Sequence, residues 1–246
     1  NFMINKNTLQ SVISKYHLNG LFSSVKWTFK DNTLTIYAGE NGRACKVFLK
    51  DIQFEDCIIP VFDTPKLSKL LSITNGELLI STEKDNKLLT KMFIADMNFD
   101  LSYNLADPFI IPKATYFEQL ENPEVDVTLE NENIDALIKA KTALPDESDL
   151  IIRTISDMDS NLACEFTFGD ATSTNKQFTN KVKYVLQGKI TDPNIAIPFN
   201  SDILKNIFSN NKDMDKGRLK ISSEGMLQLN FYSNDIETEY FVIRNE

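Results

Sequence analysis

Phe62-Asp63-Thr64-Pro65-Lys66-Leu67-Ser68-Lys69-Leu70-Leu71-Ser72 and Phe199-Asn200-Ser201-Asp202-Ile203-Leu204-Lys205-Asn206-Ile207-Phe208-Ser209 are one pattern written twice. Each copy follows an Ile-Pro pair, Ile59-Pro60 and Ile197-Pro198, and each precedes a Gly-led strand-like run, residues 76–81 and 217–222. Thr64 reads as an N-cap with Pro65 at the first helical position, a pairing that suits a helix start because Pro lacks only an N–H that has no partner there. Leu67, Leu70 and Leu71 form the apolar stripe of a helix over 65–73. In the second copy Ser201 reads as the cap, and Ile203, Leu204, Ile207 and Phe208 form the stripe of a helix over 202–210.

Upstream of each pair lies another short helix. Leu9, Val12, Ile13 and Tyr16 follow helical spacing over 6–16, capped by Asn5 or Asn7. Ile134, Leu137 and Ile138 do so over 132–142, with Pro145 just beyond. Equivalent positions lie about 125 to 141 residues apart, and a fixed period is the mark of a repeated unit. Most of the remaining chain reads as strands, for example Val25-Lys26-Trp27-Thr28-Phe29, Leu34-Thr35-Ile36-Tyr37 and Leu227-Gln228-Leu229-Asn230-Phe231. Turn pairs punctuate them: Asp31-Asn32, Asn41-Gly42, Asn75-Gly76, Asp85-Asn86 and Glu224-Gly225. The expected fold class is α+β, two repeated domains each carrying two helices on antiparallel sheets. The expected boundaries are 1–106 for the first domain, 107–123 for a linker and 124–246 for the second. Pro108, Pro112 and Pro123 mark the linker, which also carries Phe109, Ile110, Ile111, Tyr116 and Phe117. It either packs as an extended cover or lines a binding groove.

Composition narrows the function. The 246 residues carry 26 Lys+Arg against 35 Asp+Glu, a net charge of −9, which argues against an outer surface that binds nucleic acid or anionic lipid. No apolar run is long enough to cross a membrane as a helix, and the first residues lack a basic-then-apolar leader pattern; Met3 reads as the natural start. His17 is the only histidine, so multi-His metal sites and two-His mechanisms are excluded, and His17 reads as a surface residue just past the first helix. No phosphate-cradling, dinucleotide-binding, zinc-protease or serine-hydrolase motif occurs, and no cofactor is implied. Asp157 and Asp159 are a conceivable carboxylate pair, but Asp157-Met158-Asp159-Ser160-Asn161 reads as a solvated hairpin turn. Cys45, Cys57 and Cys164 read as reduced core thiols. The chain is therefore expected not to be an enzyme.

The four helical segments total +4 against a chain total of −9, which leaves −13 for everything else. Helix electrostatics account for Asp63, Glu132 and Asp202 near N-termini. They account less well for mid-helix Lys69 and Lys205, which lie opposite their apolar stripes, as does Lys139. The sharper reading gives the helices one cationic surface and the strands and loops an acidic exterior.

In order, length and spacing, this pattern resembles the DNA polymerase sliding clamps, and most closely the clamp of T-even-type tailed phages. The resemblance rests on the two helix-containing repeats, on Asp51-Ile52-Gln53-Phe54 leading into Phe62-Asp63, on Ala106-Asp107-Pro108, and on 134–144 followed by Asp149-Leu150-Ile151-Ile152 and Val182-Lys183-Tyr184. It implies a homotrimeric closed ring encircling duplex DNA without sequence specificity. It also implies a tethered DNA polymerase as processivity partner, an ATP-driven clamp loader, and a place in the cytoplasm of an infected bacterial host. On that basis Lys15, Lys66, Lys69, Lys139, Lys141, Lys205 and Lys212 are expected to face DNA. Phe109, Ile110, Ile111, Pro112, Tyr116 and Phe117, with Phe241 and Ile243 of the C-terminal strand, are expected to take partner peptides on an extended linker. Ring closure is expected between a first-domain edge near 87–93 and a second-domain edge near 176–183. The alternative is a β-rich structural or interaction protein without a DNA role.

Overall fold

The computed structural model describes residues 1–169 and 180–246. These form two compact units, Asn1–Tyr116 with Asn234–Thr238, and Phe117–Ser233 with Glu239–Glu246.

Unit 1 runs β1 (Phe2–Asn5), α1 (Lys6–His17), β2 (Val25–Lys30), β3 (Thr33–Glu40), β4 (Arg43–Leu49), β5 (Cys57–Val61), α2 (Thr64–Leu71), β6 (Glu77–Asp85), β7 (Leu88–Ala95) and β8 (Asp100–Asn104). Its strands pair antiparallel in the orders β1-β6-β7-β8 and β4-β3-β2-β5. Unit 2 runs β9 (Val125–Leu129), α3 (Asn131–Ala143), β10 (Asp149–Ser156), β11 (Leu162–Phe168), β12 (Val182–Leu186), β13 (Lys189–Ile190), β14 (Ala196–Asn200), α4 (Ser201–Asn210), β15 (Lys216–Ile221), β16 (Met226–Tyr232) and β17 (Ile236–Ile243). Its orders are β12-β11-β10-β14 and β13-β9-β15-β16-β17. With β13 set aside, the second list is the first one again, β9 standing for β1, β15 for β6 and β10 for β2. The repeated sequence pattern is thus a repeated topology, and β13 is an addition peculiar to unit 2.

Alternation explains the strands. In β2, Val25, Trp27 and Phe29 are buried while Lys26 and Thr28 lie on the other face, and β3 buries Leu34, Ile36 and Ala38 against them. The turn between them places Asp31 and Asn32 at positive φ, as a two-residue hairpin requires. Asn41 and Gly42 do the same for β3 and β4. In the turn after β6 the positive φ falls on Asn86 and Lys87, one residue later than the sequence pair implied. The helices lie against this apolar layer. Val12 and Tyr16 of α1, Leu67 and Leu71 of α2, Ile134 of α3 and Ile207 of α4 are essentially inaccessible. Burial of each such aliphatic side chain contributes about 1.5–3 kcal/mol.

The caps differ from expectation. Asp63, not Thr64, caps α2 by accepting from the backbone N–H of Lys66, and Asn200, not Ser201, caps α4 by accepting from that of Ile203. The hydroxyls after them are buried. Thr64 meets the Tyr16 hydroxyl at 2.8 Å, and Ser201 donates to the carbonyl of Glu147. Tyr103 fixes the start of α2 from β8, donating to the Asp63 carbonyl and accepting from its N–H, both at 3.0 Å.

Three lysines brace the helices. Lys6 donates to the carbonyls of Ser72 and Thr74 beyond α2. Lys15 is buried and donates to the Ser11 hydroxyl at 2.8 Å. Lys141 is buried, donates to the carbonyls of Pro145 and Glu147 at 2.8 and 2.6 Å, and pairs with Asp202 at the start of α4 at 3.3 Å. Lys15 and Lys141 therefore do not stand free on a helix face, contrary to expectation. Each sits on the flank of its stripe, where the aliphatic stem packs inward and the ammonium finds oxygens.

Two further expectations need correction. β7 is flanked by β6 and β8, so residues 88–93 form an interior strand, and the sheet ends on β8 at that side and on β1 at the other. In unit 2, β12 ends its sheet among the described residues and overlaps the expected edge near 176–183, of which 176–179 lie outside the described residues. His17 is the last residue of α1 and half-buried, with Nε2 enclosed and without a partner among the described residues, and burial lowers its pKa. Asp157 accepts from the backbone N–H of Asp159 and of Asn161, a turn joining β10 to β11, as its sequence implied.

Cys45 and Cys164 are buried, but Cys57 is only half-buried, and all three are free. Burial raises every thiol, Cys57 to about 11 and Cys164 to about 12. Since the thiolate is the nucleophile, native protein will react slowly with iodoacetamide at pH 8. A single site, Cys57, will label faster as the pH rises toward 11, as read by mass spectrometry; rapid labelling of Cys45 or Cys164 in folded protein would contradict this arrangement. Truncation of Lys141 leaves two carbonyls without their donor. Lys141→Ala will lower unfolding stability by about 2–4 kcal/mol, whereas Lys139→Ala will stay within about 0.5 kcal/mol, as measured by denaturant titration.

Candidate nucleic-acid interface

The helices pair within each unit, α1 beside α2 and α3 beside α4. Their stripes face the sheets, so the opposite faces are the candidate interface. On α2, Lys66 and Lys69 are exposed and three residues apart, hence on one face. On α3, Lys139 is exposed, with Glu132 and Asp135 also exposed nearby on the helix. On α4, Lys205 is half-exposed, and Lys212 is exposed just past the Asn211 cap. On α1, both lysines are engaged, and Asn7, Thr8, Gln10, Ser11 and Ser14 make up its more accessible positions. Of the seven lysines expected at DNA, five are available. Three of them lie on α2 and α4, the helices of the repeated pattern, and Lys212 follows directly after α4.

The linker residues divide. Asp107 caps a single 3-10 turn over Pro108–Ile110 by accepting from the Phe109 N–H, so the linker does not begin extended. Proline favours a first helical position as readily as an extended one. Phe109 is 93% exposed and Ile110 is 56% exposed, while Ile111 is buried. Pro112 lines a cleft of about 240 Å³ with Leu21, Phe22 and Tyr37, and Ile110 lines one of about 330 Å³ with Phe62, Lys66, Leu70 and Leu105 beside β8. Thr115 donates to the Gly39 carbonyl, and a Cβ at Gly39 would lie 1.9 Å from the Thr115 oxygen, so only glycine admits the linker this close to β3. Tyr116 meets the Tyr37 ring edge-on at 5.0 Å. In unit 2, Phe117 packs on Phe241 at 5.7 Å, and Phe241 is fully buried, while Ile243 is 46% exposed. Ile111 and Phe241 therefore serve packing, and of the expected residues Phe109, Ile110, Pro112 and Ile243 stand exposed.

Cations missed at first lie on strands. Lys26 and Lys46 oppose Tyr37 from either side on β2, β3 and β4, and the Lys46 ammonium lies 5.6 Å from the Tyr37 ring centre. Lys189, Arg218 and Lys220 stand together on β13 and β15. The strands are thus not uniformly acidic, and most carboxylates sit in loops. Period-2 alternation puts Lys26 opposite the apolar face of β2, but nothing local signalled the cross-strand groupings. Among the described residues no group of three or more His, Cys, Asp or Glu side chains is arranged to hold a metal ion, and no helix is long and apolar enough to cross a membrane.

No protein-family model matches the sequence, and no curated protein matches it. Solved structures do match in three dimensions. The proliferating cellular nuclear antigen (PCNA) of Entamoeba histolytica superposes with a TM-score of 0.74 at 12% identity, covering 100% of this chain and 99% of that one. A. fulgidus PCNA, in a structure bound by the C-terminal region of FEN-1, superposes with a TM-score of 0.76 at 15% identity, covering 100% and 98%. Over its whole length this chain has the α+β fold of the PCNA-type sliding clamps.

Proposed function

We propose that this chain is a DNA sliding clamp of the T-even phage type, a homotrimeric ring that encircles duplex DNA and tethers the replicative polymerase in the cytoplasm of an infected bacterium. The observation that carries this reading is the clamp fold over the whole chain, joined to exposed lysines on helices whose stripes are turned toward the sheets. Lys66, Lys69, Lys139, Lys205 and Lys212 are its DNA contacts. Lysines meeting phosphates give attraction that is independent of sequence and weakened by salt. Topology then keeps the ring on DNA, so no single contact needs to be strong. The protein performs no chemistry of its own in this reading; an ATP-driven loader opens and closes it. Partner peptides dock with apolar anchors against Phe109 and Ile110, with Pro112 and Tyr116 beside them. The tethered polymerase thereby experiences DNA at high effective concentration.

Two open edges support closure. Among the described residues β8 and β12 end their sheets, opposite β1 and β14, and the cleft lined by Phe62, Leu70, Leu105 and Ile110 lies beside β8. A head-to-tail pairing of β8 in one copy with β12 in the next closes into a ring when the rotation fits.

Light scattering over a concentration series will give a mass three times 28.0 kDa, and Ser102→Lys with Val185→Lys, one substitution on each edge, will give monomer. A monomer at high concentration for the native chain overturns the ring. Glu at positions 66, 69, 139 and 205 will abolish processive synthesis by the cognate polymerase without changing the assembled mass; full processivity in that variant overturns the assignment of the DNA-facing side.

A further inference from the structure

Unit 2 carries a charged cleft that its sister unit lacks. Antiparallel registers place Lys189 of β13 opposite Asp126 of β9, and Asp126 opposite Lys220 of β15. Arg218, two residues before Lys220, turns its guanidinium to Asp126, with Nε 2.8 Å from Oδ1 and Nη2 on Oδ2. Arg218, Lys220 and Lys189 together hold the Asp126 carboxyl below its ordinary range, the Arg218 hydrogen bonds foremost. Lys189 and Lys220 form no hydrogen bond or ion pair with any described residue. The cleft they border holds about 360 Å³ and is walled on one side by Leu120, Glu121, Asn122 and Pro123. Three cations face two carboxylates, Asp126 and Glu121, a local excess of +1 in a chain of net −9.

The fold does not require these charges. Asp126 corresponds to Met3 and Lys220 to Leu79 in unit 1, where the same cross-strand pair is apolar and stands 65% and 43% exposed. Lys189 has no counterpart, because β13 is absent from unit 1. Its approach depends on Gly188, where a Cβ would lie 2.8 Å from the Asp126 carbonyl oxygen. The wall is fixed as well, since the Leu120 N–H donates to the Gln228 side chain, and Gln228 is opposite Lys220 on β16.

We infer that this cleft is a docking site for an acidic peptide segment of a partner protein. Two unpaired ammonium groups meet two side-chain carboxylates, and Leu120 and Pro123 offer an apolar wall to residues between them. A nucleic acid strand fits less well, because the cations form a short row rather than a track that could follow a run of phosphates. The site is independent of the clamp reading, since it lies wholly within unit 2 and needs neither a ring nor DNA.

The test is fluorescence anisotropy of the full chain with fluorescein-labelled Leu-Asp-Asp-Leu-Asp-Asp-Leu. The peptide will bind, and binding will weaken as salt is raised. Lys189→Ala with Lys220→Leu, the second substitution installing the side chain that the sister copy tolerates, will weaken it about tenfold. Lys26→Ala with Lys46→Ala removes equal charge from unit 1 and will leave it unchanged. Should the first pair unfold, Lys189→Glu on the exposed two-residue strand gives the same reading. Absence of binding to the native chain overturns the proposal. So does equal weakening by both lysine pairs, which would mean net charge alone. So does tighter, Lys220-dependent binding of a single-stranded oligonucleotide of equal length.

Discussion

Helices of 8 to 13 residues are too short to persist in water on their own, and the organisation of both units follows from that constraint. Each helix exists because one stripe is buried on a sheet and because its ends are satisfied by groups from elsewhere. Asp63 and Asn200 close two N-termini, Lys6 closes the end of α2, and Lys141 spans the end of α3 and the start of α4. The helices cover the sheets on one side only and the linker covers part of the strands elsewhere, which leaves the outward helix faces and the remaining strand faces free to carry whatever charge function demands.

Those free positions are distributed unevenly. Bracing consumes both lysines of α1 and one of the two on α3, so available positive charge concentrates on α2 and α4. A count of lysines by segment therefore overstates α1 and understates the contrast between the two helices of each pair. The acidic total is likewise misleading when spread over the surface as an average. Carboxylates gather in turns, where Asp side chains accept from nearby backbone N–H groups, as Asp96 does from Asn98, Phe99 and Asn75. The strand faces keep cations.

What was legible in the sequence was local. Stripe spacing located four helices to within two residues, and Asp31-Asn32 and Asn41-Gly42 announced hairpins because two-residue turns need positive φ. The repeat was visible because both copies solve one packing problem with one pattern. The caps were misplaced by one residue because Thr64 and Ser201 have the chemistry of caps but spend their hydroxyls on buried partners that only the fold brings near. Lys15 and Lys141 carried a signal: each lies three residues beyond a stripe position, Val12 and Ile138, so the helical wheel puts both on the flank rather than opposite. Strand order had no such signal, which is why an interior strand, β7, stood in for the edge strand β8.

Divergence between the copies carries more functional information than their likeness. Positions that both units bury, such as Leu78 with Leu219 and Leu67 with Leu204, answer to packing and are interchangeable in kind. At the exposed row the copies part, with Met3 and Leu79 in one and Asp126 and Lys220 in the other. Lys220 and Lys189 add little stability, since they form no ion pair with a described residue and even exposed pairs are worth only roughly 0–1 kcal/mol. Folding therefore exerts little pressure for charges there, or for the extra strand that brings Lys189 to them. An addition that the fold tolerates without needing is where recognition is cheapest to install. That β13, Gly188 and the end of the linker all converge on Asp126 follows the same logic, because a cleft requires walls as well as charge.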